Sequence, residues 1–445
     1  MKPFRIALAV TLALLAGFLP EAEPQVRAGL ALFVLTGTLW VTEAMPLTYT
    51  ALLVPVVAAA LGLGDIPAVL SGFAHPVIGL FLGGFALAAA LNAHGIDRWV
   101  AGHLLSLARG RPVPAALLLG LTTALLSMWI SNTATAAMML PIALGLLAPV
   151  DQAFPRYRLF LMLCLAWGAN VGGIGTLVGS PPNAIAAGAL GIGFQEWLVV
   201  GLPVVAVLLP VAPLVLWLVF RPEPGVPRLE TGAKLPFPSG TGPKITLAIF
   251  LLTVTLWVAG APVSTLLGIE ENFDTWVALL ALALLGMTGV LRWPEMEHHT
   301  NWGVLLLFGG GLTLGTLVTD SGTSLFIAEG LREILPGENR WLFFLLVALA
   351  VILMSELMSN TATAALMIPL MMPVAAAVGF GEEAIALVIA VAASCVFMLP
   401  VATPPNAMVF GTGMVPQKRM IQAGMPMDAT CALVLSSLLA WWLGG

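Results

Sequence analysis

Charge is scarce in this chain. Asp, Glu, Lys and Arg make up 9% of its 445 residues, while 60% are hydrophobic; a water-soluble domain carries about 25% charged residues. The mean hydropathy of +1.03 points the same way, so most of the surface must be solvated by lipid. Cysteine is scarce too. Cys164, Cys395 and Cys431 all lie in apolar runs, where a free cysteine acts as a small buried hydrophobe. No cysteine or histidine spacing suits a disulfide framework or a zinc site. The net charge of −5 is small and scattered, which speaks against a nucleic-acid surface. Polar stretches long enough to build a soluble domain are missing.

The chain instead consists of apolar runs near the roughly 20 residues needed to cross a bilayer. Spans are read at 6–19, 28–40, 48–63, 77–91, 113–150, 159–190 and 197–220. A Pro- and Gly-rich polar stretch, 221–244, then reads as a central linker. Further spans follow at 245–260, 275–291, 302–318, 341–378, 384–410 and 425–443. Lys2 and Arg5 ahead of the first run resemble the start of a signal peptide. No small-x-small cleavage site precedes Glu21, so a retained first helix is expected. The runs 113–150 and 341–378 are nearly twice a spanning length, and each is broken near its middle by Ser-Asn-Thr. Each therefore predicts a helical hairpin.

Basic residues orient the chain. With the N-terminus in the cytoplasm, Lys2, Arg5, Arg98, Arg109, Arg111, Arg156, Arg158, Arg221, Arg228, Lys234, Lys244, Arg292, Lys418 and Arg419 lie inside. Arg27, Arg332 and Arg340 lie outside, a division of 14 against 3 among the 17 basic residues. This predicts a multi-pass inner (plasma) membrane protein with its C-terminus outside.

The sequence repeats itself. Ser131-Asn132-Thr133-Ala134-Thr135-Ala136-Ala137 recurs unchanged as Ser359-Asn360-Thr361-Ala362-Thr363-Ala364-Ala365. Pro181-Pro182-Asn183-Ala184 recurs as Pro404-Pro405-Asn406-Ala407, and Gly83-Gly84 as Gly309-Gly310. Order and spacing are kept, which marks an internal duplication. Five passes separate the two Ser-Asn-Thr elements, an odd number, so the hairpins open from opposite sides. Inverted duplication of this kind is a transporter signature. The expected domains are an N-terminal helix (1–27), a first repeat (28–221, hairpin 113–150, broken helix 159–190), a cytoplasmic linker (222–243) and a second repeat (244–445, hairpin 341–378, broken helix 384–412).

Polar residues and broken helices persist at membrane depth only where protein or a water-filled cavity satisfies them. In transporters such breaks turn half-helix N-termini toward anionic groups. Ser, Asn and Thr can donate to a carboxylate and lend oxygens to a sodium ion. The Pro-Pro-Asn elements, after Gly179-Ser180 and Ala402-Thr403, break a second helix in each repeat; proline frees carbonyls there, and a hard cation takes oxygen ligands. A single Ser-Asn-Thr would be explained by helix packing alone. Two copies, each followed by Pro-Pro-Asn at a similar distance, are not. Neither hairpin tip nor Pro-Pro-Asn loop contains Lys, Arg or His. An anion bound there would be met by helix dipoles, hydrogen bonds and co-bound cations, which favours sodium coupling. Glu356, the one acid inside a hairpin, reads as a structural hydrogen-bonding group, with a coupling or gating role as the alternative. Glu43 reads as a helix-end anchor, and His75, His94, His103, His298 and His299 as interfacial residues at span ends.

These motifs resemble the divalent anion/sodium symporter family, the sodium-coupled dicarboxylate, citrate and sulfate carriers. The likeness covers nearly the whole chain. It includes Thr42-Glu43-Ala44-Met45-Pro46, Leu82-Gly83-Gly84-Phe85 and Leu307-Phe308-Gly309-Gly310-Gly311 with both Ser-Asn-Thr and both Pro-Pro-Asn elements. The resemblance implies an all-α polytopic fold of eleven transmembrane helices and two re-entrant hairpins, in a homodimer whose transport domain moves as an elevator against a scaffold. It implies one sodium site from Ser127, Ser131 and Asn132 facing Gly179. A second would use Ser355, Met358 (through its carbonyl) and Asn360 facing Ala402. Substrate carboxylates would meet Ser131, Asn132 and Thr133 from one hairpin and Ser359, Asn360 and Thr361 from the other, bordered by Ser180, Pro181, Thr403 and Pro404. Asn183 and Asn406 would hold their loops in shape.

The expected activity is sodium-coupled import of C4-dicarboxylates such as succinate, malate or fumarate. A sodium-independent dicarboxylate exchanger is the main rival, with citrate and sulfate as alternative substrates and a passive anion channel behind them. An intramembrane enzyme would need a catalytic pair at depth, whereas Asp65, Asp97, Asp151, Asp274, Asp320 and Asp428 read as span-end or loop residues.

Overall fold

A computed structural model describes residues 2–19, 22–230, 235–269, 271–332 and 339–442. Residues 231–234 of the linker, including Lys234, and the last three residues of the second repeat lie outside the described residues. Every regular element described is helical. The chain begins with α1 (Lys2–Gly17), α2 (Pro24–Thr42), α3 (Leu47–Ala60), a short α4 (Ile66–Leu70), α5 (Pro76–Ala93) and α6 (Ile96–Ser106). Then come α7 (Pro112–Ser127), α8 (Asn132–Leu147), α9 (Pro155–Gly172), α10 (Pro181–Leu190) and α11 (Phe194–Phe220). After the linker the order returns as α12 (Thr241–Ala259), α13 (Ala261–Leu267), α14 (Phe273–Met287), α15 (Trp293–His299), α16 (Trp302–Asp320) and α17 (Thr323–Arg332). It closes with α18 (Arg340–Leu357), α19 (Asn360–Ala377), α20 (Glu382–Ser394), α21 (Pro404–Gly411) and α22 (Gln417–Trp442).

Proline sets much of this punctuation. It occupies the first turn of α2, α5, α7, α9, α10 and α21, where its missing N–H costs nothing. The repeat is one of inverted topology. Helices α7 and α8 form one hairpin, and α18 and α19 the other. Arms of 16 residues in the first hairpin and 18 in the second carry the chain in and back. Both tips reach the same cavity. Among the described residues seven helices are long and apolar enough to cross a membrane, and four shorter apolar helices accompany them. The short connecting helices α6, α15 and α17 were not anticipated from hydropathy.

Helices α9 and α20 form the centre. Every residue of α9 from Leu159 to Gly172, and of α20 from Ala384 to Ser394, is buried; a helix apolar all round belongs in a core. Small residues bring α7 against α9. A methyl group on Gly168 would strike the Gly120 carbonyl, and one on Gly172 the Ala124 carbonyl. This is the small-residue packing that membrane helices use in place of a hydrophobic drive. The duplicated Gly-Gly elements work the same way across the repeat. Gly83 of α5 lies against Ala278 of α14, and Gly310 of α16 against Ala51 of α3.

One expectation is overturned here. Hydropathy starts the last span at residue 425 because Lys418, Arg419 and Gln422 precede it. The helix itself begins at Gln417. Asp428 therefore sits about three turns inside α22 and is buried, not at a span end.

Candidate functional site

A cavity of about 960 Å³ lies where the two hairpin tips meet. Its wall contains Ser131, Asn132 and Thr133 from the first tip and Met358, Ser359, Asn360 and Thr361 from the second. Gly179, Ser180 and Pro181 line it from one broken helix, and Ala402, Thr403 and Pro404 from the other. Every residue expected from sequence to bind sodium or substrate is on this wall except Ser127 and Ser355. These two are fully buried one turn behind the tips.

Four helices begin at the cavity: α8 at Asn132, α10 at Pro181, α19 at Asn360 and α21 at Pro404. Local sequence sets each start. Ser131 caps α8, its Oγ accepting from Ala134 N at 3.3 Å. Thr403 caps α21, its Oγ1 accepting from Asn406 N at 3.4 Å. Proline opens α10 and α21. Each N-terminus is equivalent to roughly half an elementary positive charge, so four together can offset about two negative charges. No Lys or Arg lines the cavity among the described residues.

Behind the first tip, oxygens converge. One end of the Asn132 amide lies 2.6 Å from Ser127 Oγ, 3.2 Å from the Ala169 carbonyl oxygen and 3.3 Å from that of Gly179. Ser127 Oγ is itself 2.8 Å from the Ala169 oxygen. With the amide nitrogen at that end, Asn132 donates to all three. With the amide oxygen there, it accepts from Ser127 Oγ at 2.6 Å and stands near two carbonyl oxygens, an oxygen cluster of the kind a hard cation takes. Behind the second tip, Ser355 Oγ and Asn360 Oδ1 are buried with no hydrogen-bond partner, which leaves both free to coordinate a cation. These donor sets are all oxygen, as a hard cation requires.

The breaks themselves are held by asparagine. Asn183 Nδ2 donates to the Gly173 and Thr176 carbonyls at 2.8 Å each. Asn406 Nδ2 donates to the Leu399 carbonyl at 3.2 Å. Asn170 of α9 joins the two repeats, its Nδ2 donating to the Val396 carbonyl at 3.1 Å and to Thr403 Oγ1 at 3.2 Å. Glu356 binds the second loop: its carboxylate accepts from Met398 N and Leu399 N at 2.7 Å each. The Asp428 carboxyl lies against it and beside Phe397 N.

Sequence reading missed part of the wall. Glu43, Phe81, Phe85, His298, His299 and Trp302 also line the cavity. They come from the α2–α3 turn, α5, α15 and the start of α16. No duplicated motif marks the histidines, although Glu43 and Phe85 lie in segments quoted for the family resemblance.

The citrate transporter family model matches residues 38–379 and again 274–444. A transporter of uncharacterised function from Haemophilus influenzae is 43% identical over 95% of this chain and 93% of its own length. The sodium-dependent dicarboxylate transporter SdcS of Staphylococcus saprophyticus is 31% identical over 91% of this chain and 84% of its own. Two solved transporters share the fold. MtrF of Neisseria gonorrhoeae has a TM-score of 0.60 at 13% identity, covering 100% of this chain and 94% of its own. YdaH of Alcanivorax borkumensis has a TM-score of 0.54 at 16% identity, covering 84% and 86%. The chain belongs to the citrate transporter family, consistent with the divalent anion/sodium symporters its motifs resemble, and is a membrane transporter rather than an enzyme.

Proposed function

We propose that the chain imports C4-dicarboxylates such as succinate, malate or fumarate by sodium symport. The observation that carries this reading is the meeting of four helix N-termini and two oxygen clusters at one cavity without Lys or Arg. A dianion is met there by helix ends, by Thr133 and Thr361, and by the amides of Asn132 and Asn360. Sodium binds in the first half among Ser127, Ser131, Asn132 and Gly179, with the Ala169 carbonyl added by the geometry. In the second half it binds among Ser355, Met358, Asn360 and Ala402. In the second half the cation partners Ser355 Oγ and Asn360 Oδ1, which otherwise meet nothing, and in both halves a bound cation strengthens the field for the anion. Binding of the two is thereby coupled.

The remaining organisation follows the same reading. The repeats are residues 28–221 and 244–445, joined by a cytoplasmic linker over 222–243. A homodimer holds a scaffold against which both hairpins and both broken helices move as an elevator. Glu43 and Trp302 sit on the side that the Lys and Arg distribution makes cytoplasmic. A cavity lined by them is open inward.

Citrate is a second reading, supported by one observation. His298 and His299 stand on the cavity wall, where an imidazole N–H can meet a third carboxylate.

Uptake of labelled succinate into liposomes containing the purified protein tests the proposal. One batch has an inward sodium gradient and an empty lumen; the other has no sodium and a lumen preloaded with succinate. Accumulation in the first alone is expected. Accumulation in the second alone makes the protein an exchanger. Stronger competition by citrate than by malate would favour the tricarboxylate.

A further inference from the structure

A second cavity of about 960 Å³ shares no wall residue with the first. It is walled by the start of α9, the end of α11 and the α21–α22 connection, and four arginines line it: Arg156, Arg158, Arg221 and Arg419. All four fall on the side that the basic-residue distribution makes cytoplasmic. That bias calls for basic residues on this face, but not for guanidinium groups from three distant segments around one hollow.

No carboxylate lines the hollow among the described residues. The nearby acid, Glu223, is already engaged. It accepts from Arg156 N at 3.0 Å and Tyr157 N at 2.9 Å and lies 3.9 Å from Arg156 Nε. Arg158 Nε is buried with no hydrogen-bond partner, an uncompensated donor of a kind that is costly to keep. Arg221 adopts φ 47°, in the left-handed region, where it ends α11. A side chain other than Gly or Asn is uncommon there, and this one is held at the cavity wall.

The surroundings say what kind of anion fits. Leu159, Leu218, Val219 and Phe220 supply an apolar floor. Leu218, which lines the hollow, also belongs to an exposed apolar stripe of α11 with Leu214 and Trp217; the three are 54%, 53% and 49% exposed. Their spacing puts them on one helix face. Guanidinium forks bind phosphate oxygens two at a time. A hollow with a basic wall and an apolar exit into the bilayer suits a phosphate headgroup that carries acyl chains.

We infer that this hollow is a binding site for an anionic phospholipid of the cytoplasmic leaflet, with its phosphate among the four arginines and its chains along Leu214 and Leu218. The site joins two of the segments proposed to move, the start of α9 and the end of α21, to α11 and α22. Lipid bound here tethers them to the inner leaflet and stabilises the inward-open arrangement.

The test is thermal unfolding of the purified full chain in detergent, titrated with short-chain phosphatidylglycerol, short-chain phosphatidylcholine or inorganic phosphate. Phosphatidylglycerol should raise the midpoint saturably, and the other two should not. In R158Q/R221Q/R419Q the apparent affinity for phosphatidylglycerol should fall about five-fold for each guanidinium removed, the equivalent of about 1 kcal/mol each. If that variant does not fold, Arg419→Gln alone, at an exposed side chain whose guanidinium meets Gln422, should lower it about five-fold. Unchanged affinity in these variants overturns the site. Equal stabilisation by inorganic phosphate or by phosphatidylcholine overturns the assignment to an anionic lipid.

Discussion

The first hairpin carries Met128 where the second carries Glu356, three residues before Ser-Asn-Thr in each case. In the first half the tip is joined to its loop by a neutral bond, Thr176 Oγ1 donating to the Met128 carbonyl. In the second half a carboxylate takes two backbone N–H groups of the loop at 2.7 Å. The asymmetry extends one helix further. Val205 of α11 matches Asp428 of α22, and both are buried. The second half therefore holds two acids where the first holds two apolar side chains. Duplication supplied the same hairpin, break and half-helix twice, and the halves then diverged in what fastens tip to loop. A charge-assisted bond is shorter and about twice as strong as a neutral one, so the second tip is the stiffer.

If the two halves share the work at the cavity, the largest effects come from residues they have in common. Asn132→Ala and Asn360→Ala should each reduce sodium-driven uptake about 10- to 100-fold, since each removes a partner of a charged group worth about 1.5–3 kcal/mol. Uptake and expression measured together decide this. Near-wild-type transport in either variant would show that one half carries the site alone.

A smaller effect separates the fastenings. Glu356→Ala leaves two buried N–H groups without an acceptor, at about 1–3 kcal/mol each, whereas Thr176→Val leaves one carbonyl. Thermal unfolding should therefore rank Glu356→Ala below Thr176→Val. The reverse order would mean that the carboxylate is not what holds the second loop.

Ser127→Ala and Ser355→Ala should raise the sodium concentration for half-maximal uptake about ten-fold, with little change in the preference among dicarboxylates. The shift should be larger for Ser355, whose hydroxyl is otherwise unpartnered, than for Ser127, which also bonds the Ala169 carbonyl. A sodium titration unchanged in both would remove these hydroxyls from the cation sites. The smallest effect concerns Asp428. Asp428→Asn keeps a donor toward Glu356 and should change stability by less than about 1 kcal/mol. A larger destabilisation would show that the two acids share a proton that the wild-type protein depends on.

Much of this was legible before any coordinates. The duplicated motifs marked the hairpins, the breaks and the cavity-facing residues, because polar groups at membrane depth have to be satisfied together. Asn183 and Asn406 were readable as loop-holders, since an amide beside a proline break is placed to bond the freed carbonyls. The far wall was hidden. His298 and Trp302 lie in an unduplicated segment, and only tertiary packing brings α15 against the tips. Asp428 was misplaced because hydropathy detects where apolar residues start, while α22 begins earlier, among Lys418, Arg419 and Gln422. Glu356 was visible as the sole hairpin acid, but its partners, Met398 N and Leu399 N, depend on a loop geometry that the sequence does not spell out.

The most direct test of two cation sites at one anion cavity is the sodium:succinate coupling ratio, measured from the reversal potential of uptake in liposomes. Two oxygen clusters predict at least two sodium ions per succinate, and fewer in Ser355→Ala. A wild-type ratio of one, or transport that continues unchanged without sodium, would contradict the account.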